Sequence, residues 1–165
     1  MDKEQKEQKE KMDRRWGKLQ EIQGYTDEEM GIFRSNPEYV KIMEYAPKFL
    51  THRIIVEVIE SHNCIAGHEV GDRVAIMTGN GHLITEEMPK YVCAFALFAA
   101  MPRVYAMWER FHEDLDPNRM LYKISRCPDV GCKRGGWGEI VMKIYAEEVP
   151  KEQQVTLGAA REQHR

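Results

Sequence analysis

The sequence predicts an α+β fold: a compact, mostly antiparallel sheet packed on one long buried helix, with a helical extension at the N-terminus. Three observations predict it. Several helix start signals lie in the first fifty residues, and runs of β-branched residues follow Arg53. A strongly apolar segment separates the first predicted strands from the last ones. Because the strands do not alternate regularly with helices, this order favours α+β over a doubly wound α/β fold.

The N-terminal arm begins as a strongly charged helix. Residues 2–15 are dense in Lys, Glu and Gln, and four apolar side chains then recur at helical spacing, namely Met12, Trp16, Leu19 and Ile22. So narrow a stripe on so polar a helix suits either the domain's own core or a partner subunit. We expect a homo-oligomer, or a subunit of a larger enzyme, joined through this helix.

Two further helix starts follow in the arm. Thr26 and Glu29 have the spacing of a capping box, in which each side chain satisfies a backbone amide of the other residue. Asn36 precedes Pro37, which places a good N-cap before a proline at the first helical position. The helix after Pro37 is expected to end before Pro47, because the residue that precedes a proline disfavours helical backbone.

Strand signals begin immediately after the arm. Residues 54–59 are rich in Ile and Val and form the best strand candidate in the chain. Residues 73–78 and 82–85 flank a Gly-Asn-Gly sequence at 79–81, and Asn-Gly is the strongest short hairpin signal. The sequence therefore predicts one strand followed by a β-hairpin.

A long apolar helix and two more strands complete the predicted domain. Pro89 is expected to begin the helix, which is apolar on nearly every side from Val92 to Met101 and so belongs in the middle of a core. Pro102 should kink or divide it. Residues 120–126 and 139–147 read as strands joined by a loop rich in Gly, Cys and basic residues.

Length and charge limit the classes of function. The 165 residues carry a formal net charge of −3, and they divide into a helical arm (1–50), a core domain (51–149) and a polar tail (150–165). Without a basic excess, we expect no nucleic-acid binding. The N-terminus has no apolar signal segment and the most apolar stretch is too short to span a membrane. We therefore expect a cytoplasmic protein with no membrane contact, whose four cysteines are reduced thiols or metal ligands.

The first candidate site lies on the loop after the first strand. Cys64 and His68, on a loop that contains Gly67, can reach one metal ion, and a thiolate with an imidazole suits zinc or iron. The same pair can instead act as nucleophile and base. The structural alternative is that Gly67 and Gly71 serve turn geometry, Asp72 caps the turn, and Cys64 is a small buried hydrophobic residue.

The second candidate site follows a later strand. Cys127 and Cys132 can share a metal if the loop folds back, and together with Cys64 and His68 they would form a Cys₃His set. That set requires the two strands to end at the same edge of the sheet. The structural alternative is a proline-containing turn in which Asp129 accepts hydrogen bonds from backbone amides.

The third candidate site is the basic glycine-rich segment that follows. Lys133 and Arg134 precede two glycines and Trp137, and such a loop can bind a carboxylate or phosphate against a flat aromatic wall. The structural alternative is a mobile hairpin loop with solvated charges. We expect the histidines at positions 82 and 112 to be exposed. We expect Cys93, in the apolar helix, to be a core thiol.

Residues from about 53 to 146 resemble a family of short, uncharacterised bacterial proteins with C-x-x-G-H-x-x-G-D and C-P-D motifs. Members of that family place another cysteine directly before the helix proline, where this chain has Met88, and Cys93 lies about one helical turn further on. The resemblance implies one compact α+β domain but no established activity. The matching residues are Cys64, Gly67, His68, Gly71, Asp72, Pro89, Cys127, Pro128 and Asp129.

These observations lead to two hypotheses of function and to a third, purely structural one, in which the N-terminal stripe joins subunits and the cysteines belong to the core. In the first, a small cytoplasmic metabolic protein, an oligomer or accessory subunit, binds a metal or a small anionic ligand between its two cysteine loops. In the second, the protein is a stand-alone lyase or hydrolase, with Cys64 or His68 as base, Asp129 as acid and a cation of the basic loop anchoring a carboxylate.

Overall fold

The computed structural model describes residues 3–78 and 81–150 of the chain. Its helices are α1 (Lys3–Gln23), α2 (Asp27–Ser35), α3 (Pro37–Thr51) and α4 (Ala94–His112). Its strands are β1 (His52–His62), β2 (Arg73–Thr78), β3 (Ile124–Arg126) and β4 (Glu139–Glu148). Short 3₁₀ turns occur at Thr85–Glu87, Pro117–Arg119 and Cys132–Arg134.

The four strands form one sheet in the order β2-β1-β4-β3, and every neighbouring pair is antiparallel. This arrangement confirms the predicted α+β class. Since β4 runs antiparallel to both β1 and β3, those two strands run in the same direction and end at the same edge of the sheet. Both cysteine loops therefore leave the sheet at that edge.

The main core lies between α4 and one face of the sheet. Strand β4 shows the expected period of two, and its alternate residues Ile140, Met142, Ile144 and Ala146 are buried. Helix α4 faces them with residues at helical spacing, which are Ala96, Ala100, Val104, Met107 and Phe111. Small residues in the first half of this row let the helix approach the sheet closely.

The prediction that the apolar helix lies in the middle of the core is wrong, because only one of its sides packs on the sheet. Phe98 is 81% exposed and Phe95 is 73% exposed on the side of α4 that faces away from the sheet. The helix also begins at Ala94 rather than at Pro89, and it continues through Pro102 without division.

Helix α3 does not end before Pro47 as predicted, and a long-range contact compensates for the proline. A proline has no backbone N–H, so the carbonyl four residues earlier, that of Met43, loses its helical donor. Arg15 of α1 donates from Nη1 to this oxygen at 3.0 Å, and also to the Glu44 carbonyl at 3.1 Å. The helix therefore passes Pro47 because a guanidinium from another helix replaces the missing amide.

The apolar stripe of α1 is used inside the chain. Trp16 and Leu19 are buried against Met30 of α2 and Met43 of α3, which form a small core separate from that of the sheet. Phe33 meets the Trp16 ring edge-on at a centroid distance of 5.8 Å. Three residues of the stripe, Met12, Trp16 and Leu19, thus pack within the chain, and a subunit contact through this helix stays a prediction.

The arm reaches the sheet domain through the C-terminal end of α4. Lys41 pairs with Glu113 and Lys48 pairs with Asp114.

His112, at the end of α4, is 8% exposed, so the expectation that it is exposed is wrong. Its ring meets the Trp108 ring edge-on at a centroid distance of 4.6 Å. Burial lowers the pKa of His112 below its ordinary value of 6.5, although Glu109 and Glu113 oppose the shift.

The hairpin after β2 is shorter than predicted. The Thr78 amide donates to the His82 carbonyl at 2.9 Å, and Leu83 forms a single bridge with Met77 rather than a strand. Residues 79 and 80 of the predicted turn, and the predicted tail from residue 151 onward, lie outside the described residues. Within the described ranges, no helix is long and apolar enough to cross a membrane.

The contact of Arg15 with α3 predicts a specific loss of stability. Arg15→Ala should lower the free energy of unfolding by about 1–2 kcal/mol, because two carbonyl oxygens lose a charged donor. Urea denaturation followed by circular dichroism measures this change. Arg14→Ala is the matched control, since Arg14 is exposed, and it should change the free energy by less than about 0.5 kcal/mol. Equal losses in the two variants would refute the role given to Arg15.

Burial of His112 predicts acid sensitivity. Its pKa is lower in the folded than in the unfolded state, so the unfolded state takes up the proton first as the pH falls. The stability that neutral His112 provides is present above pH 6.5 and is lost as the pH falls below that value. His112→Phe should therefore reduce the fall in unfolding free energy between pH 7 and pH 5, whereas the exposed control His82→Phe should keep the wild-type dependence. A His112→Phe protein with the wild-type dependence would contradict this assignment.

Candidate functional site

The candidate site lies where the loop after β1 meets the loop between β3 and β4. The register of the sheet pairs His62 at the end of β1 with Glu139 at the start of β4. Cys64 follows the first of these residues, and Gly138 precedes the second. An added Cβ at Gly138 would overlap the carbonyl oxygen of Asn63, so the two loops are in backbone contact.

Turns within the first loop require its two glycines. The Gly67 amide donates to the Cys64 carbonyl at 2.9 Å, and Gly67 has φ +75°, a left-handed conformation that favours glycine. Gly71, with φ +95°, donates to the Val58 carbonyl at 2.9 Å and ties the end of the loop to β1. This part of the structural alternative for the motif is confirmed.

His68 is a buried connector between the loop and α4. It is 2% exposed, its Nδ1 lies 3.3 Å from Asp72 Oδ2, and its Nε2 accepts a hydrogen bond from the Cys93 amide at 3.0 Å. These partners match a neutral imidazole that carries its proton on Nδ1. Both ring nitrogens are engaged, so the geometry does not support His68 as a base or as a metal ligand.

Asp129 organises the second loop. Its carboxylate accepts hydrogen bonds from the amides of Gly131 and Trp137, both at 3.0 Å, and of Gly138 at 3.3 Å. These backbone donors, Gly131 first, hold the pKa of the Asp129 carboxyl below its usual value. A general acid at neutral pH needs a raised pKa, so this geometry does not support the acid role predicted for Asp129.

The two loops and the first turn of α4 enclose a pocket of about 460 Å³ with a mainly apolar lining. Three partly buried thiols, Cys64, Cys93 and Cys127, contribute to it, and Phe95 and Trp137 form aromatic walls. The Cys127 sulfur also accepts a hydrogen bond from the Ile140 amide at 3.3 Å. The structure thus brings together four of the predicted site residues at this lining, namely Cys64, Cys127, Asp129 and Trp137.

The other predicted site residues do not reach the pocket lining. Cys132, Lys133 and Arg134 form an exposed 3₁₀ turn outside it. Gly131 and Gly135 flank this turn with φ of +75° and +85°, in the left-handed region that favours glycine. The geometry does not support a ligand-anchoring role for either cation.

The predicted Cys₃His metal set is not assembled. Cys64, His68, Cys127 and Cys132 all belong to the described residues, among which no three His, Cys, Asp or Glu side chains are placed to hold a metal ion. The physical reasons are the two hydrogen bonds of His68 and the exposed position of Cys132. The prediction of zinc or iron therefore has no support in the geometry.

Sequence reasoning missed the position of Cys93. Its place in an apolar helix predicted a core thiol, whereas the helix begins one residue later and Cys93 is its N-cap, at the pocket wall. One signal was present in the sequence: Cys93 lies shortly after Pro89, close to the predicted start of the helix.

Compared with known proteins, the chain matches no family model, no curated protein and no solved structure.

The contact between the loops predicts the effect of one methyl group. Gly138→Ala should lower the free energy of unfolding by at least about 2 kcal/mol, because backbone must move to relieve the overlap with Asn63. Gly17→Ala is the control: no atom lies within 4 Å of its added Cβ, and alanine should stabilise α1 by up to about 1 kcal/mol. Thermal unfolding of both variants measures the difference, and a Gly138→Ala protein as stable as wild type would contradict the contact.

Proposed function

We propose that this chain binds a small organic molecule with an aromatic or aliphatic body and one anionic group, and works as a binding or accessory protein. The observation that carries this proposal is the apolar, thiol-lined pocket between the two loops. Pockets for small molecules are typically apolar clefts of about this size that contain a few polar groups. The proposal places the protein in the cytoplasm, because all four cysteines are free thiols.

The rim of the pocket supports an apolar ligand body. Ile65 and Trp137 are each 71% exposed and Phe95 is 73% exposed, although all three line the pocket. Covering such surface stabilises a complex by about 25 cal/mol per Å² of apolar area. A flat ring between Trp137 and Phe95 would gain this term together with aromatic contact energy.

The first turn of α4 supports an anionic group at the inner end of the ligand. Cys93, Phe95 and Ala96 of this turn line the pocket. The turn contains no acidic side chain, and the Cys93 side chain makes no capping hydrogen bond. Amides at a helix N-terminus attract negative charge, so this turn favours a carboxylate or sulfonate, although the ionised Asp129 carboxylate in the same lining opposes that attraction.

Hydrolase or lyase chemistry has less support. His68 uses both ring nitrogens within the protein, and Asp129 is held in its ionised form by backbone amides. Cys64 remains at the pocket without an assigned base. Binding therefore accounts for the geometry with fewer assumptions than acid–base catalysis.

A fluorescent aromatic sulfonate tests this proposal. 8-Anilinonaphthalene-1-sulfonate should bind to the full chain, and its binding should slow the alkylation of Cys64 by iodoacetamide. Trp137→Ala should weaken the affinity about tenfold, equivalent to about 1.4 kcal/mol, because the ligand loses its aromatic wall. Neutral N-phenyl-1-naphthylamine should bind more weakly than the sulfonate if the first turn of α4 receives the charge.

Tyr91→Ala is the matched control, because Tyr91 is an exposed aromatic residue outside the pocket lining. It should leave the protection of Cys64 unchanged. If the probe binds Trp137→Ala as tightly as wild type, or leaves the alkylation rate of Cys64 unaltered, the pocket is not its site and the proposal fails.

A further inference from the structure

A large apolar surface extends from the pocket along the outer side of α4. Phe98 and Tyr105 of the helix are 81% and 59% exposed, and Leu121 and Tyr122 of the following segment are 84% and 76% exposed. Phe95 belongs both to this surface and to the pocket wall. We call the exposed side chains of Phe95, Phe98, Tyr105, Leu121 and Tyr122 the α4 face.

Hydrogen bonds hold the two parts of the α4 face side by side. After α4 the chain reverses, and Arg110 Nε donates to the Asp116 carbonyl at 2.8 Å. The segment then runs back along the helix, where Ser125 Oγ donates to the Ala99 carbonyl at 2.8 Å. Leu121 and Tyr122 lie on this returning segment, between the two anchoring contacts.

The extent of the α4 face matches one side of a protein–protein interface. A fully covered aromatic side chain buries roughly 150–250 Å². With the exposures above, the four rings and Leu121 present on the order of 700 Å² of apolar surface. The largest apolar patch on a typical monomer is roughly 300–600 Å², and a stable interface buries about 800 Å² on each partner.

The charge and spacing of the α4 face fit a second copy of this chain. Arg103 is the sole charged residue between Ala94 and Met107, so the helical parts of two such faces can meet with little repulsion between like charges. The outer residues of α4 follow spacings of three, four and three, which is the seam used by paired helices; they are Phe95, Phe98, Pro102 and Tyr105.

Other segments of the chain are less suited to cover this face. The stripe of α1 is already packed against α2 and α3. Residues 151–165 contain only two large apolar side chains, Val155 and Leu157, which are too few for four aromatic rings. A second copy instead offers the same apolar area and the same spacing.

We propose that two copies of this chain associate through the α4 face, around a two-fold axis. Such an interface is self-complementary, because the same residues contribute from each copy. This dimer places the subunit contact on α4, whereas the sequence indicated α1. Phe95 is shared with the pocket wall, but the other four residues of the α4 face lie outside the pocket lining, so the dimer can form without a ligand in the pocket.

Light scattering coupled to size-exclusion chromatography tests the dimer on the full chain. From low to high micromolar concentration, the wild type should approach twice the chain mass of 19.3 kDa. Phe98→Glu should remain at the mass of one chain, because it buries a carboxylate without a partner at the centre of the interface. Ile32→Glu is the matched control: Ile32 is 66% exposed on α2, and this variant should dimerise like the wild type.

A second variant separates loss of association from loss of folding. Leu121→Glu changes a side chain that is 84% exposed and should weaken dimerisation at least about tenfold, with an unchanged circular dichroism spectrum. The proposal is overturned if the wild type has the mass of one chain at every concentration. It is also overturned if folded Phe98→Glu or Leu121→Glu protein dimerises like the wild type.

Discussion

The antiparallel pairing of β1 with β4 is the interaction on which the rest of the structure depends. Its register runs from His52 opposite Glu148 to His62 opposite Glu139. The end of β1 and the start of β4 are therefore neighbours, and Cys64 and Cys127 can share a pocket although 63 positions separate them along the chain. Gly138 allows the loops to touch because its missing side chain leaves room for the Asn63 carbonyl.

His68 and Asp129 stabilise this junction through hydrogen bonds with groups of the protein itself. His68 is buried, where an imidazole without such partners would cost free energy. His68 joins the first loop to α4, and the Asp129 carboxylate accepts hydrogen bonds from the backbone amides of the second loop. The pocket lining is mainly apolar and includes three thiols and two aromatic walls, so the site favours binding over proton transfer.

Helix α4 shows how one sequence pattern can serve two surfaces. Its inner row of residues packs on the sheet, while Phe98 and Tyr105 on its outer side remain exposed. Apolar residues all round a helix predict burial, but a four-stranded sheet covers only one side. The proposed dimer would cover the other side. The two apolar sides of α4 would then be buried by the sheet of the same chain and by the second copy.

The sequence by itself determined the α+β class, the helix caps at Thr26 and Asn36, and the positions of the two cysteine loops, because these features depend on residues close together in the chain. Only the tertiary structure decided that α3 continues past Pro47, that both nitrogens of His68 are occupied, and that Cys93 reaches the pocket. Each of those outcomes requires a partner more than twenty residues away, or two partners at once. Patterns over a few neighbouring residues cannot predict such partners, because the strand register and the packing of helices bring distant residues into contact.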